Sequence, residues 1–249
     1  MLKEERFGKI LEILSKTGRV QYDTAAAKLQ VSKDTIRRDI EALHNNGLLS
    51  KVRGGAIPVT KNPLAFVDRA AYMTDKKELI ALKAQQFIEA GQTIFMDAGT
   101  TNCSIASKLP VDIELTIITN NTALIPVLEH HKNIQLLLLG GKYNPKTQST
   151  EGAKACEEIA RYAADWYFLG TCGIDSKIGV TATFIGDADI KTAMHKNAKK
   201  TIALALEEKL DLAETFRICP MNEVAVLITE LASTDSRLNL YRNKELKLV

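Results

Sequence analysis

The chain has 249 residues, of which 45% are hydrophobic and 25% are charged, a composition typical of a soluble globular protein with a sizeable core. Residues 1–60 contain 11 Lys and Arg against 7 Asp and Glu, whereas the remainder contains 22 against 23. The positive excess lies in the first quarter, which favours a basic module joined to a neutral one.

Several classes of protein are excluded by what the sequence lacks. The four cysteines have no C-x-x-C spacing and no histidine at ligand spacing, so we expect neither a disulfide framework nor a metal site, and a reducing compartment. The N-terminus has no signal-peptide core, and no apolar run approaches the length of a membrane span. We therefore expect a cytoplasmic protein without a membrane partner.

Three helices are predicted in the first 45 residues. The first is indicated by an apolar face that recurs at i, i+3, i+4 and i+7, formed by Phe7, Ile10, Leu11 and Leu14, and Gly18 ends it. An Ala-rich stretch that starts near Asp23 or Thr24 predicts the second. Ser32 is the predicted N-cap of the third, because a Ser oxygen accepts from backbone N–H groups at a helix start. Its buried face consists of Ile36, Ile40 and Leu43.

Two adjacent arginines characterise the third helix. At 100° per residue, Arg37 and Arg38 point to solvent in its N-terminal half. The helix breaks at Asn46–Gly47, and the alternating residues that follow predict a small hairpin carrying Lys51 and Arg53. Three helices closed by a hairpin predict a winged helix-turn-helix, whose third helix enters the major groove. Arginine suits this position because its planar group pairs bidentately with guanine or phosphate.

We expect double-stranded DNA to contact the start of the third helix and the hairpin. The residues assigned to this contact are Ser32, Lys33, Asp34, Thr35, Arg37, Arg38, Lys51, Arg53, Gly54 and Gly55. The alternative is that the two arginines form surface ion pairs with Asp34 and Glu41 at helical spacing.

A second domain follows a connector. Residues 58–75 contain two prolines and no clear period, so we predict a DNA-binding domain at 1–57, a linker at 58–75 and a second domain at 76–249. Seven apolar strands alternate with helices in that domain: TIFMDAGTT, LTIITNN, IQLLLLGG, DWYFLGTCGI, TIALAL, VAVLITE and LKLV. This alternation predicts an α/β fold with a mostly parallel sheet covered on both faces.

Small polar residues follow the first four of these strands. In open α/β sheets the ligand crevice lies at the carboxyl ends of the strands, although Gly and Thr are common in any such turn. Glycines allow a ligand to approach the backbone, and Thr100, Thr101 and Asn102 fall at a helix start, which favours an anion such as phosphate. No Walker A pattern and no complete G-x-G-x-x-G is present, so no nucleotide cofactor is expected.

Both regions resemble the DeoR-type bacterial transcription regulators. The stretch VSKDTIRRDI (31–40) is similar to the recognition-helix pattern V-S-x-x-T-I-R-R-D-[LI] of that family, and Gly54, Gly55 and Ala56 match the end of its wing. The stretches that resemble its sensor domain, in order, are IFMDAGTT, LTIITNN, LLLLGG, EGAKA, FLGTCGI and DADIKTAM. The resemblance covers essentially the whole chain.

This resemblance implies a Rossmann-like second domain related to sugar-phosphate isomerases and coenzyme A transferases, which in the family senses phosphorylated sugars. It implies a repressor of a carbohydrate-utilisation operon that binds operator DNA. Because symmetric DNA is read by at least two modules, we expect a homo-oligomer, a dimer or tetramer. The residues that it places around the effector are Asp97, Gly99, Thr100 and Thr101 at the phosphate end, with Thr119, Asn120, Gly140, Gly141, Gly173, Asp189, Lys191 and Lys209 around the rest.

Two departures from the family pattern concern this crevice. The family usually has a D-x-S-K turn where this chain has Leu206–Lys209, read as LEEK, and Cys172 stands before Gly173 where Asp, Asn or Thr is usual. Either the crevice takes an unusual ligand or the acidic turn is simply solvated, and both interpretations remain open.

Two other functions compete with this reading. An isomerase-like enzyme fused to a DNA-binding module would need a carboxylate base, for which Asp97 and Asp175 are the candidates. The stretch TCGID stands where related isomerases have D-G-A-D-E, so we predict that the chain is not an enzyme. An α/β interaction module without a small ligand would leave the row of Gly and Thr turns unexplained.

Overall fold

A computed structural model describes residues 3–45, 48–52, 54–57, 66–243 and 245–249. The chain forms two compact units, Met1–Tyr72 and Met73–Val249. The predicted helix break at Asn46–Gly47, the predicted DNA contact Arg53 and residues 58–65 of the predicted connector lie outside the described residues.

The first unit contains three helices and a hairpin. In chain order its elements are α1 (Lys3–Thr17), β1 (Val20–Gln21), α2 (Tyr22–Leu29), α3 (Lys33–Asn45), β2 (Ser50–Val52), β3 (Gly55–Ile57) and α4 (Phe66–Ala71). The predicted winged helix-turn-helix is confirmed. Gly18 ends α1 as predicted, because its φ of 68° is left-handed and its N–H donates to the carbonyl of Leu14.

Two elements of this unit were not predicted. β1 pairs antiparallel with β3, so that the sheet order is β1-β3-β2. A strand of two residues carries no alternating pattern and depends on its partner strand for its existence. α4 falls in the stretch predicted to have no regular structure.

The apolar faces of α1, α2 and α3 form the core of the first unit. Its fully buried side chains include Ile10, Ile36, Ile40 and Leu43. The predicted buried face of α3 is therefore confirmed, and the opposite face of the helix is available to a partner.

The second unit alternates helices and strands. Its helices are α5 (Thr74–Ala84), α6 (Thr100–Ala106), α7 (Leu124–Leu128), α8 (Ala153–Ile159) and α9 (Ile185–Lys196). Its strands are β4 (Thr93–Met96), β5 (Leu115–Thr119), β6 (Ile134–Leu138), β7 (Lys142–Asn144), β8 (Ser149–Glu151), β9 (Ala164–Gly170), β10 (Gly173–Asp175), β11 (Gly179–Ala182), β12 (Ala198–Leu204), β13 (Phe216–Cys219), β14 (Val226–Ile228) and β15 (Lys247–Leu248).

Seven parallel strands form the central sheet, in the order β15-β14-β12-β9-β4-β5-β6. These are the seven strands predicted from the sequence. One apolar cluster packs α8 and α9 against the sheet, and a second packs α5, α6 and α7. The predicted α/β fold with both faces covered is thus confirmed.

Five short strands lie outside that sheet. Four of them were not predicted, and the predicted strand DWYFLGTCGI runs from β9 into the fifth, β10. β7 pairs with β8, and β10, β11 and β13 form a small antiparallel sheet. They have three or four residues each, so their local sequence carries little strand signal. The amphipathic pattern of residues 78–91 predicts a helix that Gly91 ends, but α5 begins at Thr74 and ends at Ala84.

No helix within the described ranges is both long enough and apolar enough to cross a membrane.

Candidate functional site

The orientation of α3 is set by its cap and its buried face. The backbone N–H of Thr35 donates to Ser32 Oγ at 3.1 Å, so Ser32 is the N-cap as predicted. With Ile36 and Ile40 buried, Arg37 and Arg38 are exposed in the N-terminal half of the helix. The first turns of α3 therefore present two guanidinium groups to solvent.

Asp39, the next residue, faces the interior of the unit. It is 3% exposed, and the guanidinium of Arg6 donates to its two carboxylate oxygens at 2.5 and 2.9 Å. This bidentate pair joins α3 to α1 and holds the recognition helix in place. The motif match included Asp39, but nothing in the local pattern indicated its partner, which lies 33 residues earlier.

Three of the basic side chains around α3 are held by carboxylates. Lys33 Nζ lies 2.7 Å from Asp23 Oδ1, and Arg37 Nη1 lies 3.4 Å from Asp34 Oδ1. A third ion pair joins Lys51 of β2 to Glu41 of α3.

Arg37 and Arg38 differ in their surroundings. The guanidinium of Arg37 also lies 5.8 Å from the ring centre of Tyr22, in a cation–π contact. Arg38 has no ion-pair or hydrogen-bond partner among the described residues. The alternative reading of surface ion pairs thus holds for Arg37 with Asp34, whereas Glu41 pairs with Lys51 and not with an arginine.

The wing depends on two glycines. A Cβ on Gly55 would lie 1.8 Å from the carbonyl oxygen of Val20, so β1 and β3 can pair only if residue 55 has no side chain. Gly54 has a φ of 90°, and a Cβ there would meet open space. Gly54 is exposed and Gly55 is buried, so the second supports the wing from within. Arg53, which is also assigned to the wing, lies outside the described residues.

In the second unit the strand order reverses between β4 and β9. The chain continues from β4 to β5 and β6 on one side, and from β9 to β12, β14 and β15 on the other. Such a reversal opens a crevice at the carboxyl ends of the two strands. Gly99 and Gly170 meet there, and a Cβ on Gly170 would lie 3.2 Å from the Cα of Gly99. Thr100 is buried and Thr101 half-buried beside them.

The buried carboxylate of Asp97 accepts hydrogen bonds from both strand ends at this point of the sheet. Its Oδ1 accepts from the Gly99 N–H at 2.9 Å and from Asn102 Nδ2 at 3.1 Å. Its Oδ2 accepts from the Tyr167 hydroxyl at 2.7 Å and from the Gly170 N–H at 2.9 Å. The carboxylate is fully buried and its four donors belong to the protein, so Asp97 shapes the turn that Gly99 begins.

Lys191 of α9 lies beside this carboxylate. Its Nζ donates to the carbonyl of Gly170 at 2.8 Å, and it lies 2.8 Å from Asp187 Oδ2 and 4.0 Å from Asp97 Oδ2. Burial opposes its charge, but the carboxylates of Asp187 and Asp97 outweigh that cost and raise the pKa of Lys191. Burial raises the pKa of Asp97, and the charge of Lys191 counteracts this. Lys191 therefore stays protonated.

Asp189, by contrast, does not join this network. Asp189 is exposed. Burial of the Cys156 thiol on α8 raises the pKa of that thiol, and the negative charge of Asp189 raises it further. Asp187, which sequence reasoning missed, is the acidic partner of Lys191. The signal was available, because residues four apart lie on the same side of a helix.

The end of β5 is tied to its neighbours. Thr119 Oγ1 donates to the carbonyl of Met96 at 2.5 Å, which links β5 to β4. Asn120 Nδ2 donates to the carbonyl of Thr150 at 2.8 Å, which links β5 to β8. Both predicted site residues are buried, so they hold strand ends together.

The remaining predicted glycines lie further along the same edge. The Gly140 N–H donates to Glu158 Oε2 at 2.9 Å, and Gly141 is exposed with a φ of 126°. Gly173 is buried in β10, where a Cβ would lie 2.5 Å from the carbonyl oxygen of Leu212. Because Gly173 has no side chain, β10 can pack closely against the backbone of Leu212. Gly173 is not hydrogen-bonded to Asp97.

Lys209 belongs to the turn that departs from the family pattern. Its Nζ lies 3.2 Å from Glu208 Oε1. The neighbouring Glu207 pairs with Arg237 at 2.5 Å and with Lys76 at 3.4 Å. Glu207 is thus part of an ion-pair cluster, whereas Glu208 is exposed.

Two buried asparagines at this edge, Asn102 and Asn121, are not among the residues assigned to the effector. Asn102 Nδ2 donates to the carbonyl of Phe168 at 3.0 Å, and Asn121 Nδ2 donates to the carbonyl of Asp97 at 3.3 Å. The sequence indicated a helix start at Asn102 and the end of a predicted strand at Asn121, but not the hydrogen bonds that either side chain makes.

Asp175, one of the two carboxylates considered as a catalytic base, lies at the start of a turn. Asp175 accepts from the N–H groups of Lys177 and Ile178 at 2.8 Å each, which lowers its pKa and commits it to a turn. Among the described residues, no group of three or more His, Cys, Asp or Glu side chains is arranged to hold a metal ion. The four cysteines are free thiols.

Comparison with known families matches both units. A family model described as the DeoR-like helix-turn-helix domain matches residues 6–62. A second, described as the DeoR C terminal sensor domain, matches residues 73–231.

Individual proteins are similar over most of the chain. The HTH-type transcriptional repressor GlcR of Bacillus subtilis (strain 168) is 32% identical over 232 residues, which are 92% of this chain and 89% of that protein. The glycerol-3-phosphate regulon repressor of Escherichia coli (strain K12) is 29% identical, covering 84% of this chain and 83% of that one. Among solved structures, ribose 5-phosphate isomerase A of Methanocaldococcus jannaschii has a TM-score of 0.41 at 17% identity, over 55% of this chain and 54% of that one.

A winged helix-turn-helix unit followed by a sensor unit defines a DNA-binding transcription regulator with a small-molecule effector. The chain belongs to the DeoR family of such regulators. Membership of this family identifies a regulator and not an enzyme, so the isomerase alternative is set aside.

Proposed function

We propose that this chain represses a carbohydrate-utilisation operon and that a phosphorylated sugar, bound at the carboxyl edge of the central sheet, controls it. The observation that carries the proposal is the combination, in one chain, of exposed arginines on α3 and a strand reversal between β4 and β9. The similar proteins are named as regulators, one of them for a glycerol-3-phosphate regulon, which supports a phosphorylated effector.

Operator DNA would contact the exposed face of α3 and the wing. Arg37 and Arg38 would read base edges in the major groove, because arginine pairs bidentately with guanine. Lys33, Lys51 and Arg53 would contact phosphates and set the register. The exposed start of α3, with Ser32, Asp34 and Thr35, and the wing glycines Gly54 and Gly55 complete the proposed surface.

The effector would occupy the crevice beside Gly99 and Gly170. Thr101, half-buried at its edge, is the hydroxyl best placed to contact it, with Gly140, Gly141 and Lys209 further along the edge. The buried residues Asp97, Thr119, Asn120 and Lys191 would support these contacts from beneath, because their polar atoms already bind protein groups.

Two or more copies would act together in the cytoplasm, since symmetric operators are read by at least two modules. The effector would shift the balance between a DNA-competent and an incompetent state by binding one of them more tightly.

Thermal unfolding of the purified chain against a panel of sugar phosphates, with the unphosphorylated sugars as controls, tests the effector. A ligand at 100 times its Kd stabilises the native state by about 2.7 kcal/mol, which shifts the Tm measurably. A shift with a phosphorylated sugar alone is expected. If unphosphorylated sugars act equally well, or no sugar phosphate acts, the proposed effector class is wrong.

Binding to DNA is tested with Arg38→Ala, because this side chain has no competing partner among the described residues. Loss of a base contact should weaken operator binding by about 1–3 kcal/mol. Lys16→Ala, which changes an exposed lysine of α1 outside the proposed contact residues, is the control. Equal affinity of Arg38→Ala and the parent chain would contradict the proposed recognition surface.

A further inference from the structure

The recognition surface carries acidic side chains as well as basic ones. Around α3 the described residues include four cations, Lys33, Arg37, Arg38 and Lys51, and three carboxylates, Asp23, Asp34 and Glu41. Each carboxylate pairs with one cation, which leaves Arg38 as the one unpaired cation of this described set. These seven described side chains therefore carry a formal net charge of only +1.

The pairs are exposed, and two of the three carboxylates belong to the helix that would enter the groove. The Arg37–Asp34 pair has side-chain exposures of 56% and 71%, and the Lys51–Glu41 pair has 37% and 45%. Asp34 and Glu41 lie on α3, whereas Asp23 lies on α2. Exposed ion pairs are weak and exchange partners readily, so DNA phosphates can compete for each cation.

Such competition leads to electrostatic repulsion between the protein and any DNA. When a phosphate takes the cation, the carboxylate is left without its partner beside a negatively charged duplex. Binding to non-operator DNA consists almost entirely of phosphate contacts, so nothing offsets this repulsion there.

An operator can offset this repulsion through hydrogen bonds in the major groove. The exocyclic amines of cytosine and adenine are hydrogen-bond donors on that side of the bases, and a carboxylate on the recognition helix can accept from them. A sequence that places such a donor opposite Asp34 or Glu41 gives the released carboxylate a new partner, whereas other sequences do not.

We propose that Asp34 and Glu41 are specificity-determining residues that act chiefly against the wrong DNA. They hold Arg37 and Lys51 in intramolecular ion pairs, and they allow tight contact only where the bases supply donors in exchange. This inference rests on the proposed reading of operator DNA by α3, and it assigns to the acidic residues the rejection of competing sites.

The test compares two duplexes with the full-length chain. One is a duplex enriched from random-sequence DNA by repeated selection on the parent protein, and the other is a scrambled duplex of the same composition. The variants are Asp34→Asn and Glu41→Gln, each measured at two salt concentrations because phosphate contacts are salt-dependent.

Two further variants are matched controls. Asp23→Asn releases Lys33 but removes no carboxylate from α3, so it should strengthen binding to both duplexes alike. Glu12→Gln breaks an exposed ion pair with Lys16 on α1, neither of which is a proposed contact residue, and should change neither affinity. Arg38→Ala is included to test the recognition surface itself.

Asp34→Asn and Glu41→Gln are each expected to tighten binding to the scrambled duplex by about two- to fivefold, the range for an exposed ion pair. Affinity for the selected duplex should stay the same or fall, so that the ratio of the two affinities falls by about fivefold or more when a base contact is lost. If both duplexes gain equally, the carboxylates do not select sequence and the inference is wrong. If Arg38→Ala also binds the selected duplex normally, the recognition surface itself has been misassigned.

Discussion

The hydroxyl of Tyr167 donates to Asp97 Oδ2 at 2.7 Å, and both side chains are fully buried at the point where the central sheet reverses its strand order. Burial, followed by the nearby charge of Asp97, raises the pKa of Tyr167 well above its ordinary value. The phenol therefore keeps its proton, and remains a donor, at neutral pH. The sheet centre thus contains a carboxylate whose partners are all internal.

Tyr167→Phe should reveal how much this donor contributes. The substitution leaves the ring in place but removes one of four donors to a buried carboxylate, which should lower the free energy of unfolding by about 1–3 kcal/mol. Urea unfolding of the second unit measures the change. Tyr143→Phe, which alters an exposed tyrosine, is the control and should leave stability unchanged. An equal effect of the two substitutions would contradict the role given to the Asp97 hydrogen bond.

Asp39→Ala should destabilise the first unit severely. The largely buried guanidinium of Arg6 would lose a bidentate carboxylate, a change that typically costs about 3–5 kcal/mol. Thermal unfolding and operator binding of the full-length chain should both report the loss. The exposed Glu12–Lys16 pair on the same helix supplies the comparison, since Glu12→Gln should unfold like the parent. If Asp39→Ala unfolds like the parent as well, the buried pair does not hold α3.

The two wing glycines should respond differently to alanine. Gly55→Ala places a Cβ against the backbone of Val20 and must break or shift the β1–β3 pairing. Gly54→Ala meets open space and suffers only from its left-handed φ, at about 1–2 kcal/mol. Thermal unfolding should therefore rank Gly55→Ala as the more damaging change. The reverse order would show that the wing does not depend on the close approach at Gly55.

Thr101→Glu should remove the response to the effector without unfolding the chain. Thr101 is half-buried at the crevice, whereas Thr100 is buried and would not tolerate the larger side chain. A carboxylate at this position should repel a phosphate, so the Tm shift with the active sugar phosphate should disappear while operator binding persists. Thr215→Glu adds the same charge at an exposed position and is expected to respond as the parent does. A normal response from Thr101→Glu would place the phosphate elsewhere.

Cys219→Ala should flatten the alkaline part of the stability profile. Burial, with a contribution from Glu223, raises the pKa of the Cys219 thiol from 9.0 to about 12. Between these values the unfolded chain binds fewer protons than the native one, so the free energy of unfolding falls as pH rises. One such group contributes a slope of about 1.4 kcal/mol per pH unit, which the alanine variant lacks.

The measurement is urea unfolding of both chains at pH 7, 9, 10 and 11 under reducing conditions. The difference at pH 7 isolates the packing cost of the substitution, and the difference in slope above pH 9 isolates the thiol. Parallel profiles would show that Cys219 ionises in the native state as it does in the unfolded chain.

The main elements could be predicted because they carry local signals. Ser32 caps α3 and Ile36, Ile40 and Leu43 form its buried face, and both features are visible within twelve residues. The seven strands of the central sheet are apolar runs set apart by helices. β1 and four of the five small antiparallel strands could not be predicted, since they are short and depend on pairing with distant segments.

The candidate sites show the same division. Exposure of Arg37 and Arg38 follows from helical periodicity and was predicted. The pairing of Asp39 with Arg6, and the meeting of Asp97 with Tyr167, join residues 33 and 70 positions apart, and no local pattern encodes them. Asp187 could have been predicted, because it lies four residues before Lys191 on a helix. The family resemblance implied Asp189 as the site residue instead.

The strand order of the central sheet also bears on how the chain folds during synthesis. β4, at residues 93–96, pairs on one side with β9, at residues 164–170, so the middle of the sheet cannot close until most of the chain has left the ribosome. The winged helix-turn-helix unit needs only the first 72 residues, and domains generally fold in order from the N-terminus. A nascent chain thus completes the part that reads DNA well before the part that regulates it.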